Sequence, residues 1–314
     1  MCDTITFSNV ALQWIDTKRK FVKRSTYCAY NLILHKHLIP RFRDAATISE
    51  AMAQKMVIDL LENGLSRKTV KDILATLKAV VKYGSKYYGL SQSEWEIVFP
   101  TETSRKPLPV MSISSQRRLM HYISEYPTAQ NIGILVALCS GMRIGEICAL
   151  KWEDVDMQRR IITVNQTVGR IYDCDAKVTE RIMSSPKTKT SNREIPICRE
   201  LLTAFRIIRK QSPSAVYVLG GGMRPKEPRI YREYFSRLLK RLSIPKIVFH
   251  GLRHTFATRC VECQCDYKTI STILGHSNVS TTLNLYVHPN IEQKKRCLDR
   301  FSKFMGLKDL SGVR

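Results

Sequence analysis

The sequence has no apolar run of roughly eighteen residues, no apolar signal segment near its N-terminus and no lipidation motif. We therefore expect a cytoplasmic protein that neither crosses nor enters a membrane. It also lacks the glycine-lysine loop that binds nucleoside triphosphates. Its 10 cysteines are too sparse for the disulfide framework of a small secreted protein. They are expected to be reduced thiols at buried helix positions.

Negative charge is scarce. The chain has 27 Asp and Glu against 51 Lys and Arg, which gives a formal net charge of +24. A cation-rich surface gains affinity for nucleic acid because it displaces counterions from the phosphate backbone. Nucleic acid is therefore the expected partner, with an anionic membrane surface as the alternative.

Metal ligands at useful spacings are also missing. Cys260, Cys263 and Cys265 stand close together, but no second ligand pair follows them at a zinc-site spacing. The motifs with candidate catalytic residues contain no group of carboxylates that would hold Mg²⁺. We therefore predict neither a metal nor a cofactor.

With 314 residues the chain exceeds the usual size of one hydrophobic core, so two domains are expected. Periodicity predicts an all-helical domain over 1–90, a Pro- and Ser-interrupted linker over 91–109 and a mixed domain over 110–314. In the first domain, one helix is predicted to include the apolar residues Val10, Leu12, Trp14, Ile15 and Phe21. A second is closed by Pro40, and a third spans about 48–63 after a Thr47 cap.

A fourth helix is predicted to begin at the Ser66 cap and to run over 67–88. Its apolar positions are Val70, Ile73, Leu74, Leu77 and Val81, which repeat at intervals of three and four. Arg67, Lys71, Lys78 and Lys82 fall along another side. One face is expected to pack and the other is a candidate for DNA-backbone contact, although a solvated lysine face is the ordinary alternative.

The second domain is predicted to be mainly α with a small antiparallel β-sheet. Helices are expected near 115–125, 128–140 and 143–151, and two strands at 160–168 and 192–198. Residues 161–164 and 193–197 form the two sides of a hairpin, and a lysine-containing segment over 186–190 lies between them.

Five residues in this half suit cleavage of a phosphodiester without metal. Such a reaction needs cations around a transition state that gains negative charge, a nucleophile, and a proton donor for the leaving oxygen. Arg143 in a glycine-flanked turn and Arg253 in a helix can bind phosphate oxygens bidentately. His250 and His276 can handle protons, and Tyr286 is a potential nucleophile.

The segments GMRIGEICALKWEDVD (141–156), HGLRHTFATR (250–259) and LGHSNVSTTLNLYVH (274–288) closely resemble the tyrosine recombinase, or phage integrase, family. The resemblance covers roughly 107–300, and the first domain resembles the family's SAM-like core-binding domain. It implies a type IB topoisomerase-like transesterification, in which Tyr286 attacks a DNA phosphate and forms a 3′-phosphotyrosyl link. A DNA hydroxyl then reseals the strand.

The resemblance also implies a role for each residue. Arg143 and Arg253 bind the nonbridging oxygens, His250 assists proton handling at the tyrosine, and His276 hydrogen-bonds the phosphate. Lys187 protonates the leaving 5′-oxygen, with Lys189 as the alternative. In addition, Glu146 resembles the acidic residue that follows the first arginine and orients its neighbours. Gln264 departs from the family, since relatives often have a helix-ending glycine there, so we expect another residue of this turn to adopt the left-handed conformation.

We expect a site-specific recombinase that acts on double-stranded DNA as a homotetramer and integrates or excises a mobile element or phage, at the bacterial nucleoid. Accessory DNA-bending or excision proteins are possible partners. Because the chain begins almost at the core-binding helices, simple sites without distant arm repeats are expected. The tail over 290–310 has Leu298, Phe301, Phe304 and Met305 at helical spacing, and it docks either on a neighbouring subunit or on its own domain.

Three alternatives remain open. Resolution of chromosome or plasmid dimers in the manner of Xer recombinases, and DNA inversion, use the same chemistry. A relaxing topoisomerase is a further enzymatic alternative. A DNA-binding protein that kept the scaffold without using its nucleophile is the alternative from another class.

Overall fold

The computed structural model describes residues 6–89, 94–101, 110–174, 176–184, 192–220, 223–286 and 291–306; within these ranges the side chains of 284–286, 292–294 and 296–297 are not described. The chain forms two compact units. The first contains residues 1–106 together with 170–182, and the second contains 107–169 and 183–314. In the described part, no helix has the length and apolar character needed to span a bilayer.

Apart from residues 170–182, the first unit is built from helices around one apolar core. They are α1 (Phe7–Arg19), α2 (Arg24–Ile33), a π-helical turn (Leu34–Leu38), α3 (Ile39–Phe42), α4 (Glu50–Glu62) and α5 (Arg67–Tyr88). The Phe21 prediction was wrong: this residue lies beyond α1 and its side chain is 83% exposed. The cap of α4 is Ser49 rather than Thr47, because the Ser49 hydroxyl accepts the N–H of Met52.

Pro40 does not close the second helix. The chain continues from α2 through the π-helical turn into α3, and Pro40 lies in the first turn of α3. A proline lacks an N–H to donate, but the first turn of a helix leaves such groups without a helical partner anyway. Pro40 was interpreted as the residue that ends a helix, whereas it lies where a helix begins.

Helix α5 matches the prediction closely. The Ser66 hydroxyl accepts the N–H of Thr69 at 3.1 Å, and the helix ends at Gly89, whose φ is 65°. Val70, Ile73 and Leu77 on the predicted apolar face are fully buried. The caps and the periodicity agree, so the boundaries could be read from the sequence.

Part of the predicted linker packs on the first unit. Trp95 is 8% exposed and belongs to the first core. The N–H of Glu96 donates to the Glu50 carboxylate at 2.9 Å, and the Gln54 amide exchanges two hydrogen bonds with the backbone of Val98 at 2.9 and 3.0 Å. Residues 94–101 therefore extend the helical unit, while 91–93 and 102–109, the rest of the predicted linker, lie outside the described residues.

The second unit contains α6 (Ile113–Glu125), α7 (Ala129–Ser140), α8 (Ile144–Ala149), α9 (Arg199–Gln211), α10 (Pro228–Arg241), α11 (His250–Glu262), α12 (Tyr267–Leu274), α13 (Val279–Tyr286) and α14 (Ile291–Phe304). Helix α7 is apolar on all sides and is buried almost throughout. It packs against α9 and α11. The turn after α7, which contains Arg143, and the start of α11 therefore pack on one common core.

A small antiparallel sheet lies beside these helices. Its strands are β1 (Val155–Asp156), β2 (Ile161–Val164) and β5 (Arg193–Pro196), in the order β1-β2-β5. Ile162 pairs with Ile195, and Val164 pairs with Arg193, as the predicted hairpin requires. Strands β3 (Thr167–Asp173) and β4 (Val178–Ser184) form a second sheet that the sequence analysis did not predict. The mainly α fold class with small antiparallel sheets is confirmed.

Candidate active site

The turn after α7 depends on a glycine. Gly141 caps the helix with a φ of 64°, a left-handed conformation that glycine adopts at low cost. A Cβ at this position would lie 2.6 Å from Leu274 and 2.6 Å from Phe256. Both the conformation and the space therefore require glycine. The turn places the next residues, Met142 and Arg143, at the start of α8.

Arg143 and Glu146 are joined at the start of α8. The backbone N–H of Arg143 donates to Glu146 Oε2 at 2.9 Å, and the guanidinium donates to Oε1 at 2.8 Å. The Arg143 side chain is 38% exposed, whereas that of Glu146 is 3% exposed. The buried carboxylate therefore holds both the backbone and the guanidinium of Arg143. Part of the guanidinium stays exposed and can bind a ligand.

A second arginine, Arg193, binds the same carboxylate. Its Nη1 and Nη2 donate to Glu146 Oε1 and Oε2 at 3.2 and 2.9 Å, and its Nε donates to the carbonyl of Ile273 at 2.6 Å. Burial alone would raise the pKa of Glu146, but the hydrogen bonds and charge of Arg193, with the charge of Arg143, lower it below its ordinary value. Glu146 thus stays ionised and joins the start of α8 to β5 through Arg143 and Arg193.

Arg253 lies in the first turn of α11 and is 2% exposed. Its Nη1 donates to the carbonyl of Gly141 and its Nη2 to the carbonyl of Leu274, each at 2.8 Å. These carbonyls stand at the C-terminal ends of α7 and α12, where the helix dipole is negative. Two helix ends therefore fix the plane of this guanidinium.

His250 is the first residue of α11 and is open to solvent on one side. Its ring meets that of His254 edge to face, with 4.7 Å between centroids. Partial burial, together with the positive charges of His254, Arg253 and Arg143, lowers the pKa of His250 to about 4. The imidazole is therefore neutral at physiological pH and can accept a proton.

His276 follows the helix stop at Gly275, whose φ is 67°. Its Nδ1 shares a hydrogen bond of 2.9 Å with the hydroxyl of Thr282, a residue of α13 that is fully buried. Burial and the charges of Arg253, Arg143 and Arg193 lower the pKa of His276 to about 4. The ring is thus oriented by one nitrogen, and its other nitrogen can contact a ligand.

These observations place four of the six predicted catalytic residues in one electrostatic cluster. Arg143 and Arg253 each act on the pKa of both His250 and His276. Lys187, with its alternative Lys189, lies outside the described residues. Tyr286 ends α13, which packs against α11 and α12, but the position of its side chain is likewise not described.

A cavity of about 950 Å³ opens beside His276. Residues of β2 and β5 line one side, and α12 with the turn after it lines the other. Its walls include the polar side chains of Asn192, Lys268 and His276. The described residues contain no group of three or more His, Cys, Asp or Glu that could hold a metal ion.

Comparisons with known proteins identify the family. The phage integrase family model matches residues 110–293, more than half of the chain, and the model of the phage integrase N-terminal SAM-like domain matches residues 6–46. The chain belongs to the phage integrase family. It is therefore a tyrosine recombinase, an enzyme that transfers DNA strands between sites, and double-stranded DNA is its partner.

Individual relatives are distant in sequence. A XerC-like tyrosine recombinase of Caldanaerobacter subterraneus is 27% identical over 80% of this chain and 70% of its own length. The ICEBs1 integrase of Bacillus subtilis is 24% identical over 93% of this chain and 80% of its own length. The Tn1549 transposon integrase, solved with transposon right-end DNA, has a TM-score of 0.79 at 22% identity, covering 95% of this chain and all of that chain.

Two features of this recombinase differ from what its sequence suggested. Arg193 was not predicted as a site residue, although it contacts the carboxylate that holds Arg143. Its only signal was an arginine at the start of a strand, which alone does not indicate burial. Gln264 itself adopts the left-handed conformation at the end of α11, with a φ of 61°. Its side-chain oxygen accepts a hydrogen bond from Arg300 of α14.

Proposed function

We propose that this recombinase integrates and excises a mobile genetic element, and that Tyr286 is its nucleophile. The observation that carries the proposal is the cluster in which Arg143 and Arg253 act on both His250 and His276. The names of the relatives support the mobile-element role, because one is the integrase of ICEBs1 and another is a transposon integrase.

In the first step, the phenol oxygen of Tyr286 attacks the scissile phosphorus. The neutral ring of His250 accepts the phenolic proton, while Arg143 and Arg253 bind the nonbridging oxygens as their charge increases. The bond from phosphorus to the 5′-oxygen breaks, and Lys187 donates a proton to that oxygen. His276 donates a hydrogen bond to the phosphate.

The second step reverses the first with a new partner. A 5′-hydroxyl from the other DNA duplex attacks the phosphotyrosyl phosphorus and releases the Tyr286 phenol. One phosphodiester is lost and one is formed, so the energy of the bond is conserved and no nucleotide triphosphate is needed. Preorganised guanidiniums and neutral histidines serve both directions, because each direction has the same pentavalent transition state.

DNA contact in the first unit is proposed for the cationic face of α5. Lys71, Lys78 and Lys82 are exposed, whereas Arg67 is half-buried. Arg67 donates to the carbonyl of Pro100 at 2.7 Å, and Lys78 donates to that of Trp95 at 3.3 Å. Arg67 therefore serves mainly to hold residues 94–101, and the three lysines supply charge for the phosphate backbone.

Strand exchange between two duplexes requires four cleavages, so a homotetramer on DNA is proposed. Helix α14 is the proposed link between subunits. Leu298, Phe301 and Phe304 are 67%, 57% and 88% exposed, which means that they do not pack on their own domain. Docking on a neighbouring subunit would cover them. Accessory DNA-bending or excision proteins would set the direction of the reaction.

The proposed chemistry is tested with nicked suicide duplexes that tile the DNA flanking the chain's own gene, since the gene of such an element borders its attachment site. The expected result is a protein–DNA adduct that survives denaturation and maps to Tyr286. The matched control is Tyr286→Phe, which keeps the ring and removes the nucleophile. Equal band patterns for the native and Phe proteins would leave a non-catalytic DNA-binding protein as the better account.

The general acid is tested with a substrate whose 5′-bridging oxygen is replaced by sulfur. A thiolate leaves without protonation, so the substrate should restore cleavage to a variant that lacks the acid. Lys187→Ala is expected to be rescued and Lys189→Ala to need no rescue. The reverse result would assign the role to Lys189. Strand exchange between two separately labelled duplexes then distinguishes a recombinase from a relaxing topoisomerase.

A further inference from the structure

Arg193, the first residue of β5, has no role in the chemistry proposed above. Its side chain is only 3% exposed. The guanidinium donates in two directions, through Nη1 and Nη2 to the Glu146 carboxylate and through Nε to the carbonyl of Ile273. So little of the side chain reaches solvent that a DNA phosphate has almost no surface to bind. Any part that Arg193 plays in the reaction must therefore pass through the groups that it holds.

The first direction leads to Arg143. Glu146 Oε1 accepts from the guanidiniums of Arg143 and Arg193 at 2.8 and 3.2 Å. Glu146 Oε2 accepts from the backbone N–H of Arg143 and from Nη2 of Arg193, each at 2.9 Å. Both oxygens are thus shared between the two arginines. Because the Glu146 side chain is 3% exposed, bulk water does not replace Arg193 as its partner, and the placement of the Arg143 guanidinium depends on Arg193.

The second direction leads to Arg253. Nε of Arg193 donates to the carbonyl of Ile273 at 2.6 Å, and Nη2 of Arg253 donates to the carbonyl of Leu274 at 2.8 Å. These are consecutive carbonyls in the last turn of α12, a helix that also contacts β5. Arg193 and Arg253 therefore bind the same helix end, so a shift of one is transmitted to the other through a single turn of backbone.

We propose that Arg193 is a positioning residue that fixes the spacing between the guanidiniums of Arg143 and Arg253. The proposal rests on the function proposed above, in which these two arginines bind the nonbridging oxygens. Preorganised cations stabilise a transition state only where its charge develops, and a displacement of about 1 Å costs roughly 100-fold in rate. Lysine cannot replace Arg193 in this role, because its compact ammonium lacks the planar fork that reaches a carboxylate and a carbonyl together.

A purely structural role for Arg193 is the alternative, and the choice of substrate separates the two. A methylphosphonate at the scissile position has a methyl group in place of one nonbridging oxygen and carries no negative charge. Its cleavage therefore depends less on correctly placed guanidiniums. Misplacement of Arg143 or Arg253 should slow cleavage of the phosphodiester selectively. Loss of folded protein or of DNA affinity should slow both substrates by the same factor.

The experiment measures single-turnover adduct formation by the intact chain, at saturating protein, on matched nicked duplexes with either scissile group. Arg193→Lys should slow the phosphodiester about 10- to 100-fold and the methylphosphonate less than about threefold. Arg143→Ala is the reference and should show the same selective loss. The matched control is Arg259→Lys, because Arg259 likewise donates to a carboxylate and a carbonyl, those of Glu262 and Met111, each at 2.6 Å. It should keep the wild-type ratio of the two rates.

The outcomes distinguish this inference from the proposed function. Equal slowing of both substrates by Arg193→Lys, while Arg143→Ala stays selective, overturns the inference alone. Equal slowing by Arg143→Ala, or no adduct from the wild-type chain on any duplex, overturns the proposed function and the inference with it.

A second variant guards against a loss of folding. Glu146→Gln combined with Arg193→Met removes both buried charges together, which is far less destabilising than removing one of them. The thermal midpoint of this pair variant shows that it is folded, and its cleavage should still be slowed selectively on the phosphodiester. Cleavage of the phosphodiester at the wild-type rate would show that Arg143 and Arg253 keep their spacing without Arg193, and would overturn the inference.

Discussion

The two units of this recombinase use positive charge in opposite ways. In the first unit, the cations of α5 stay at the surface and contact backbone carbonyls and an aromatic ring of residues 94–101. Arg67 and Lys71 stand over the ring of Phe99 at 5.3 and 5.5 Å. Each of these contacts leaves the charge in high dielectric, where it is worth little.

In the second unit, two of the arginines are inside. Arg253 is 2% and Arg193 8% exposed, and their partners are a buried carboxylate and the carbonyl ends of helices. Removing a guanidinium from water is costly unless every partner is well placed. Net charge therefore indicates a polyanion as the partner, whereas the arginines held by a buried carboxylate and by helix carbonyls mark the proposed site of phosphate chemistry.

If buried and exposed cations differ in this way, the largest loss of stability should follow substitution of Glu146. Replacing it in Glu146→Gln leaves the buried guanidinium of Arg193 without its counter-charge, so the free energy of unfolding should fall by about 3–5 kcal/mol. DNA cleavage should fall as well, because Arg143 donates to both oxygens of Glu146 and glutamine keeps only one of these acceptors and no charge. Denaturant unfolding and adduct formation measure the two effects.

The control is Asp59→Asn in the first unit. It breaks the Arg41–Asp59 ion pair of 2.6 Å, whose side chains are 30% and 31% exposed. The expected loss in the free energy of unfolding is below about 1 kcal/mol. Similar losses for the two variants would mean that burial does not distinguish the cations of the two units.

A second prediction compares two glycines with nearly the same backbone. Gly141 and Gly89 cap α7 and α5 with φ values of 64° and 65°. Gly141→Ala adds a clash at 2.6 Å to the conformational strain, whereas the Cβ of Gly89→Ala meets nothing within 4 Å. We expect losses in unfolding free energy of about 2–4 and about 1 kcal/mol respectively, measured by denaturation. Equal losses would show that packing around Gly141 adjusts freely.

The free energy of unfolding should also be lower in acid than in neutral solution. The pKa values of His250 and His276 are lowered to about 4 in the folded chain, while an unfolded histidine titrates near 6.5. Between these values the unfolded state binds more protons, so stability is complete above about pH 6.5 and falls as pH decreases toward 4. Near pH 5 the loss should be roughly 1 kcal/mol per histidine, since both rings are partly exposed.

Denaturant unfolding of the wild-type chain and of His276→Gln at about pH 7 and pH 5 measures this effect. The variant should lose less stability on acidification than the wild type, because it has one fewer depressed histidine. An equal loss in both proteins would assign the acid sensitivity to other groups. His37 in the first unit is one such group, because partial burial and Lys36 lower its pKa too.

Much of this fold could be predicted where local signals agree. For α5, the Ser66 cap, the apolar periodicity and Gly89 all indicate one helix. The pairing of residues 161–164 with 193–196 followed from apolar strand patterns on either side of a polar segment. Where signals were short or in conflict, prediction failed. Strand β1 has 2 residues, which are too few to show a period, and β4 has no buried residue and so no apolar face to detect.

The candidate site divides in the same way. Arg143, Arg253 and the two histidines could be predicted as site residues because each lies in a short local motif that resembles a known family. Arg193 was missed because its importance comes from burial against Glu146 and Ile273, contacts that join residues far apart in sequence. Trp95 was missed for the same reason: a single aromatic residue in a Ser- and Pro-interrupted segment has no periodicity, although its side chain enters the first core.

The smallest effect is expected for the lysines of α5. Lys82→Ala should change the free energy of unfolding by less than about 0.5 kcal/mol, because the side chain is exposed. It should weaken DNA binding almost equally for all sequences and reduce the slope of log affinity against log salt by about 1. Arg67→Ala should have the opposite profile, with a larger stability loss and a smaller change in slope, because it holds Pro100 and Phe99. If Lys82→Ala leaves the slope unchanged and Lys20→Ala at the end of α1 reduces it, the DNA lies against another face of the first unit.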